Sequence, residues 1–137
     1  MATRAYIGLQ HLDGRIEAIY CHHDGYTYSG GVGETLHKHY QDPEKITELL
    51  SGGDISGLGE SPDASEGTTY YHRDRGEPFK DVRSIVYHHI IEFAKAADDA
   101  CASYAYLFRS ESGEWLVRRF TDKCPKDNFR PLTNYFD

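Results

Sequence analysis

Cysteine is scarce in this 137-residue chain, and basic side chains are outnumbered by acidic ones. The three cysteines, Cys21, Cys101 and Cys124, are odd in number, far apart, and form no C-x-x-C pair. That pattern excludes a disulfide framework and a zinc knuckle, and a reducing cytoplasm is the expected setting. Fifteen lysines and arginines against 22 aspartates and glutamates leave a formal charge of -7. A nonspecific grip on nucleic acid needs a basic stripe that releases counterions, so no such binding is expected. No apolar run approaches a membrane span, and the opening Met1-Ala2-Thr3-Arg4-Ala5 lacks a signal-peptide core, so neither export nor anchoring is expected.

What is present is an ordinary globular balance, with 39% hydrophobic and 27% charged residues. It suits one domain over 1–137 with a single core. The expected fold is α+β: a mainly antiparallel sheet of about five strands, two hairpins plus a central strand, packed with two or three helices. Residues 4–10 and 16–22 flank Asp13-Gly14, a two-residue hairpin signal, because a type I′ turn needs positive φ at both central positions. Pairing about that turn sets Leu9 opposite Ala18, Ile7 opposite Tyr20 and Ala5 opposite His22. One face then carries Ala5, Ile7, Leu9, Ala18 and Tyr20, and the other Tyr6, Gly8, Ile19 and Cys21. With both faces partly apolar, the hairpin belongs inside the sheet.

Helical spacing of Val32, Leu36 and Tyr40 predicts a first helix. Asp42-Pro43-Glu44 supplies a cap, a first-turn proline and a first-turn acid for a second, which stops at Gly52-Gly53. Residues 51–67 read as a mobile loop and 68–72 as a short strand. The set Val82, Ile85, Val86, Ile90, Phe93, Ala94 and Ala97 predicts one long helix capped by Asp81. A second hairpin spans 104–109 and 114–120 across Ser112-Gly113, with Tyr104, Tyr106 and Phe108 on one face. Residues 121–137 read as an irregular tail.

Two polar knots interrupt this scaffold. Cys21-His22-His23-Asp24 holds four metal-binding residue types, but consecutive strand side chains point to opposite faces and cannot close on one ion. A site there would need a distant ligand such as His72, His88 or His89, so no metal and no cofactor are expected. His37 and His39 diverge on their helix and read as solvated, and His89 reads as a boundary histidine on the long helix. Gly30-Gly31-Val32-Gly33 could hold an anion before a helix, yet it is neither a Walker A loop nor a dinucleotide fingerprint, and a flexible turn is preferred.

In the second knot, His72-Arg73-Asp74 superficially matches a kinase catalytic loop. Phe79 stands where the metal-binding asparagine would lie, and the chain is far too short. What remains is Arg73, Asp74, Arg75 and Glu77 around Gly76. They form either a neutralised surface network or a pair in which one arginine is held and the other forks onto a phosphate or carboxylate. Tyr26, Tyr71 and Trp115 could stack on a base. The candidate ligand- or partner-binding residues are therefore His22, Asp24, Tyr26, Tyr71, Arg73, Asp74, Arg75 and Glu77, if folding brings the two knots together. No catalytic residues are assigned, since no nucleophilic triad is visible. A Cys21–His pair is the weaker alternative.

The runs Thr3-Arg4-Ala5-Tyr6-Ile7-Gly8, Ile19-Tyr20-Cys21-His22-x-Asp24-Gly25-Tyr26, Gly53-Asp54-Ile55-Ser56-x-Leu58-Gly59 and Tyr71-His72-Arg73-Asp74-Arg75-Gly76-Glu77 carry a resemblance. So do Gly31-Val32-Gly33, Leu36-x-x-x-Tyr40, Tyr106-Leu107-Phe108 and Gly113-x-Trp115. Together, from Thr3 to about Phe120, they resemble a family of small proteins encoded by tailed bacteriophages and prophages. Thr27 stands where that family carries proline, and the tail from Asp122 is longer than the family's. The resemblance assigns no catalytic residue. It implies an accessory phage protein in the cytoplasm of the infected host cell. Expected roles are an inhibitor of host defence, such as a CRISPR–Cas inhibitor or a sponge for nucleotide signals. The partner would be a host defence protein or a small nucleotide-like ligand, and a homo-oligomer is allowed. The alternatives are a small nucleotide- or phosphoester-processing enzyme using His/Asp/Glu chemistry, and a structural or regulatory phage protein.

Overall fold

A computed structural model describes residues 2–120 and 128–136. The first hairpin forms, but with a different register from the one its turn residues predict. β1 (Ala5–Gln10) and β2 (Ile16–Cys21) pair Ala5 with Cys21, Tyr6 with Tyr20, Ile7 with Ile19 and Gln10 with Ile16. The connection is five residues long, closed by His11 N–H donating to the Arg15 carbonyl at 2.8 Å. Gly14 has φ +95°, whereas Asp13 is not left-handed, so the turn is not type I′. A one-residue slip moves one strand's side chains to the other face. Ile19 and Cys21 therefore join Ala5, Ile7 and Leu9 in one core cluster, while Ile16 and Ala18 enter a second.

Among the described residues the sheet is mixed and has eight strands, seven in the order β4-β3-β2-β1-β6-β7-β8 and β5 paired on β2 beside them. The remaining members are β3 (Ile55–Gly57), β4 (Thr69–Tyr70), β5 (Ile85–Tyr87), β6 (Tyr104–Arg109), β7 (Glu114–Arg119) and β8 (Arg130–Pro131). β1 runs parallel to β6, and β2 runs parallel to β3, pairings that an antiparallel plan did not anticipate. Both hairpins lie inside the sheet, in keeping with their two apolar faces. The 104–109 alternation holds: Tyr104, Tyr106 and Phe108 face one cluster, and Ala105 and Leu107 the other. Part of the expected 51–67 loop is strand, because buried Ile55 pairs across to Cys21 and Tyr70. Of the expected tail, 121–127 lies outside the described residues, whereas β8 pairs with β7 and Leu132 is buried.

Among the described residues there are four α-helices. α1 (Val32–His39) and α2 (Pro43–Ser51) cover the Ile7/Ile19 side, and Asp42 caps α2 by accepting from the Glu44 N–H. The single long helix does not form. α3 (Phe79–Val82) ends where Arg83 turns extended, the β-prone run Ile85–Tyr87 pairs with β2 opposite Ile16–Ala18, and α4 (Ile90–Asp99) begins after His89. The N-cap is therefore His89 rather than Asp81, and Ile85 and Val86 are exposed rather than core. Phe93 and Ala97 of α4 pack on the Ala18/Leu107 side, which gives three layers with the sheet in the middle.

Helix α4 ends in a six-residue closure. Ala102 N–H donates to the Ala97 carbonyl and Cys101 N–H to that of Asp98, with Cys101 at φ +61°. That left-handed position is usually glycine. Cys101→Gly is expected to be neutral to stabilising, by up to about 1 kcal/mol, while Cys101→Val should destabilise. Urea titration of both variants checks this, and a more stable valine variant would contradict it.

Candidate functional site

The site is built by alternation along four neighbouring strand segments. Cys21, Ile55 and Tyr70 point into the α1/α2 core, so the residues beside them point the other way. On β1 these are Tyr6 and, just before the strand, Arg4. On β2 they are Tyr20, with His22 following it, and on β3 Asp54 and Ser56. Tyr71 follows β4. Helix α4 covers the adjoining part of this face through Phe93, which meets Tyr6 and Tyr87 at ring centroid distances of 6.4 and 6.0 Å. Tyr6, Tyr20, His22 and Tyr71 are half-buried, a wet aromatic surface and not a sealed core.

Local contacts fix its parts. Tyr20 sits edge-on to Tyr6 at 5.8 Å, and its hydroxyl is 2.6 Å from His22 Nδ1. His22 meets His23 edge-on at 4.5 Å. The Arg75 guanidinium lies 5.4 Å from the Tyr71 ring centre and donates to Ser56 Oγ at 3.3 Å. Arg75 has no carboxylate partner among the described residues. His22 is held below its ordinary pKa, first by partial burial and then by His23, Arg4 and Arg75. Burial pushes the Tyr6 hydroxyl up to about 12 and raises Tyr20 and Tyr71, so these phenols are neutral donors at physiological pH.

Asp54 has an unusual structural task. β5 pairs with β2 only at Ile16–Ala18, and the His22 N–H is taken by the Ile55 carbonyl. Between them the Asp54 carboxylate accepts the Tyr20 N–H at 2.9 Å, so a side chain fills the gap along the edge of β2. Burial, with Glu77 nearby, pushes this carboxyl up to about 6.

The two polar knots meet only in part. His22, Tyr71 and Arg75 share this face, and Glu77 is close enough to influence Asp54 and Tyr71. Asp24 and Tyr26 turn away. Asp24 has φ +59°, and Tyr26 donates to it at 3.3 Å, stacks on Tyr28 at 4.1 Å and packs against the α1/α2 core. Arg73 is committed internally. Its guanidinium donates to the Pro62 carbonyl at 2.7 Å, to that of Thr68 at 3.0 Å and to both Asp74 oxygens, and lies 4.6 Å from the Tyr70 ring centre. Asp74 also accepts the Tyr70 N–H, so the pair staples the turn after β4.

Arg4, Tyr6, Tyr20, Asp54 and Ser56 belong to the face although they were not among the candidate binding residues. Strand alternation in the correct register was the signal that could have found them. Cys21 is excluded as a partner for His22: it points into the opposite core, where burial pushes its thiol up to about 12. The α1 N-terminus is occupied by its own Glu34, whose carboxylate accepts the Gly30 N–H. Among the described residues no group of three or more His, Cys, Asp and Glu side chains is placed to hold a metal. No helix among them is long and apolar enough to cross a membrane.

Two open recesses among the described residues lie away from this face. One of about 430 Å³ sits between α2 and the Arg73 turn, and one of about 500 Å³ between α4 and the Arg118–Phe120 edge. The first is lined by Arg73, four of whose five N–H donors are already used, which is why the open sheet face is the better candidate. No protein-family model, curated protein or solved structure matches the chain.

Two outcomes follow from this geometry. Arg73→Ala should lower the melting temperature by several degrees, whereas Arg75→Ala should stay within about 0.5 kcal/mol of the parent. The reverse order in thermal melts would contradict the division of labour between the two arginines. Because folding raises the Asp54 pKa, the folded state binds its proton more tightly. The stability linked to that proton is full below about 3.8 and lost as pH rises through about 6. Asp54→Asn keeps an acceptor for Tyr20 and should stabilise the fold at pH 7.5 by about 1–2 kcal/mol, a figure reduced for partial solvent screening. Denaturation across pH 4–8 would show a flatter profile for that variant, and an unchanged profile would refute the assignment.

Proposed function

We propose that the protein is a noncatalytic binding protein that takes a small anionic ligand on the face lined by His22, Tyr71 and Arg75. In the setting its sequence resembles, a tailed-phage accessory protein in the infected cell's cytoplasm, this capture withdraws the ligand from a host defence system. The observation that carries the reading is Arg75, an exposed guanidinium set over Tyr71 with no carboxylate partner among the described residues. A guanidinium so placed offers forked donors to an oxyanion, with a ring beside it for stacking. Docking on a host protein, whether or not of a CRISPR–Cas system, would use the same residues, but the half-buried tyrosines and histidine favour a small ligand. The alternative is a small phosphoester-processing enzyme. The observation favouring it is the 2.6 Å contact of Tyr20 with His22 Nδ1, which leaves Nε2 for proton transfer.

The test is incubation with a panel of linear and cyclic nucleotides, followed by heat denaturation and chromatography of the released small molecule. Recovery of one nucleotide unchanged, with at least tenfold weaker retention by Arg75→Ala, is the expected result. Recovery of a cleaved product would favour the enzyme, and retention of nothing in the panel would refute nucleotide capture.

A further inference from the structure

We infer that Arg4 is a second cationic arm of this face, and that the ligand is a phosphate ester seated over His22 between Arg4 and Arg75. The inference rests on the anion-binding reading above and adds to it a residue and a ligand class.

The register places Arg4. Ala5 pairs with Cys21 and Tyr6 with Tyr20, and one step further along the same ladder sets Arg4 opposite His22. Its backbone is pinned on the other side, where its carbonyl accepts the Ser103 N–H at 2.8 Å. The side chain has no such tether. Arg4 Nε is buried and has no hydrogen-bond partner among the described residues, and no carboxylate among them pairs with the guanidinium. The charged end of Arg4 lies near enough to Tyr20 and His22 to act on both, and an oxyanion is the natural partner for a guanidinium without a carboxylate.

Strands in a sheet lie about 4.8 Å apart, so Arg4, His22 and Ser56, on three successive strand lines, form a row spanning about 10 Å. Arg75 reaches that row at Ser56. Two guanidiniums and an imidazole offer more donors than one carboxylate can accept, whereas the oxygens of a phosphate ester can meet several at once. Tyr20 and Tyr71 lie in the neighbouring row, on either side of Asp54, and favour a planar ring on the ester, as in a nucleotide. The acids facing the site are Asp54 and Glu77. Asp54 is turned onto the Tyr20 amide, so the anion belongs at the Arg4–His22 end of the row.

Titration calorimetry with inorganic phosphate, pyrophosphate, 5′-adenosine monophosphate and citrate tests this on the full chain and on Arg4→Gln, Arg4→Lys and Arg75→Gln. The parent should bind the phosphate compounds over citrate. Arg4→Gln should weaken adenosine monophosphate at least tenfold, and Arg4→Lys should restore part of the loss. Should Arg4→Gln fail to fold, NMR of the parent's His22 ring on adding pyrophosphate decides, with a saturable shift expected. Parent-like affinity in Arg4→Gln alongside lost affinity in Arg75→Gln would overturn the role of Arg4 and leave anion binding standing. Preference for citrate would overturn the ligand class. Failure of every anion to bind the parent would overturn the anion-binding reading itself.

Discussion

The pairing register of β1 and β2 governs everything else in this molecule. Strand side chains alternate, so a single-residue slip would exchange the contents of the two faces. In the observed register Ile7 meets Ile19 and Ala5 meets Cys21 toward α1 and α2, while Tyr6 meets Tyr20 on the other side. The polar face exists because this ladder, continued one step, brings Arg4 to His22. The five-residue connection with Gly14 alone at positive φ sets that choice.

The second constraint is unequal cover. One side of the sheet is roofed by two helices over a continuous aliphatic and aromatic core that includes Leu36, Tyr40, Ile46 and Leu50. Among the described residues the other side has the ten-residue α4, whose Phe93, with Phe120 and Phe129, reaches only part of the sheet. The uncovered remainder is surfaced with tyrosines, a histidine and arginines, groups that tolerate water at one end and packing at the other. Where strand pairing lapses along β2, the Asp54 carboxylate supplies the missing acceptor. A charged group placed to complete a sheet edge carries a desolvation cost, seen in its raised pKa.

Local signals in the sequence were legible. The Asp42-Pro43 start of α2, the existence of the two hairpins and the inward set Tyr104, Tyr106 and Phe108 all read correctly, because each depends on neighbours within a few residues. What could not be read depends on distant partners. Ile85 and Val86 match helical spacing, but the vacant edge of β2 recruits them as strand. Asp13-Gly14 marks the turn without fixing how many residues it takes. Arg73 and Arg75 are alike in the sequence, and only the Pro62 and Thr68 carbonyls, brought in by the loop after β3, separate the staple from the exposed cation. Of the candidate residues, His22, Tyr71 and Arg75 fall on one face, and Arg4 joins them through a strand partner eighteen residues away.

The most direct test of a ligand face on the open half of the sheet is chemical-shift mapping of the isotope-labelled protein during a pyrophosphate titration. Saturable shifts are expected at Arg4, Tyr20, His22, Ser56 and Tyr71, with Thr68, Tyr70 and Asp74 unmoved. Shifts confined to the recess around Arg73 and α2, or no saturable shifts at all, would contradict this expectation.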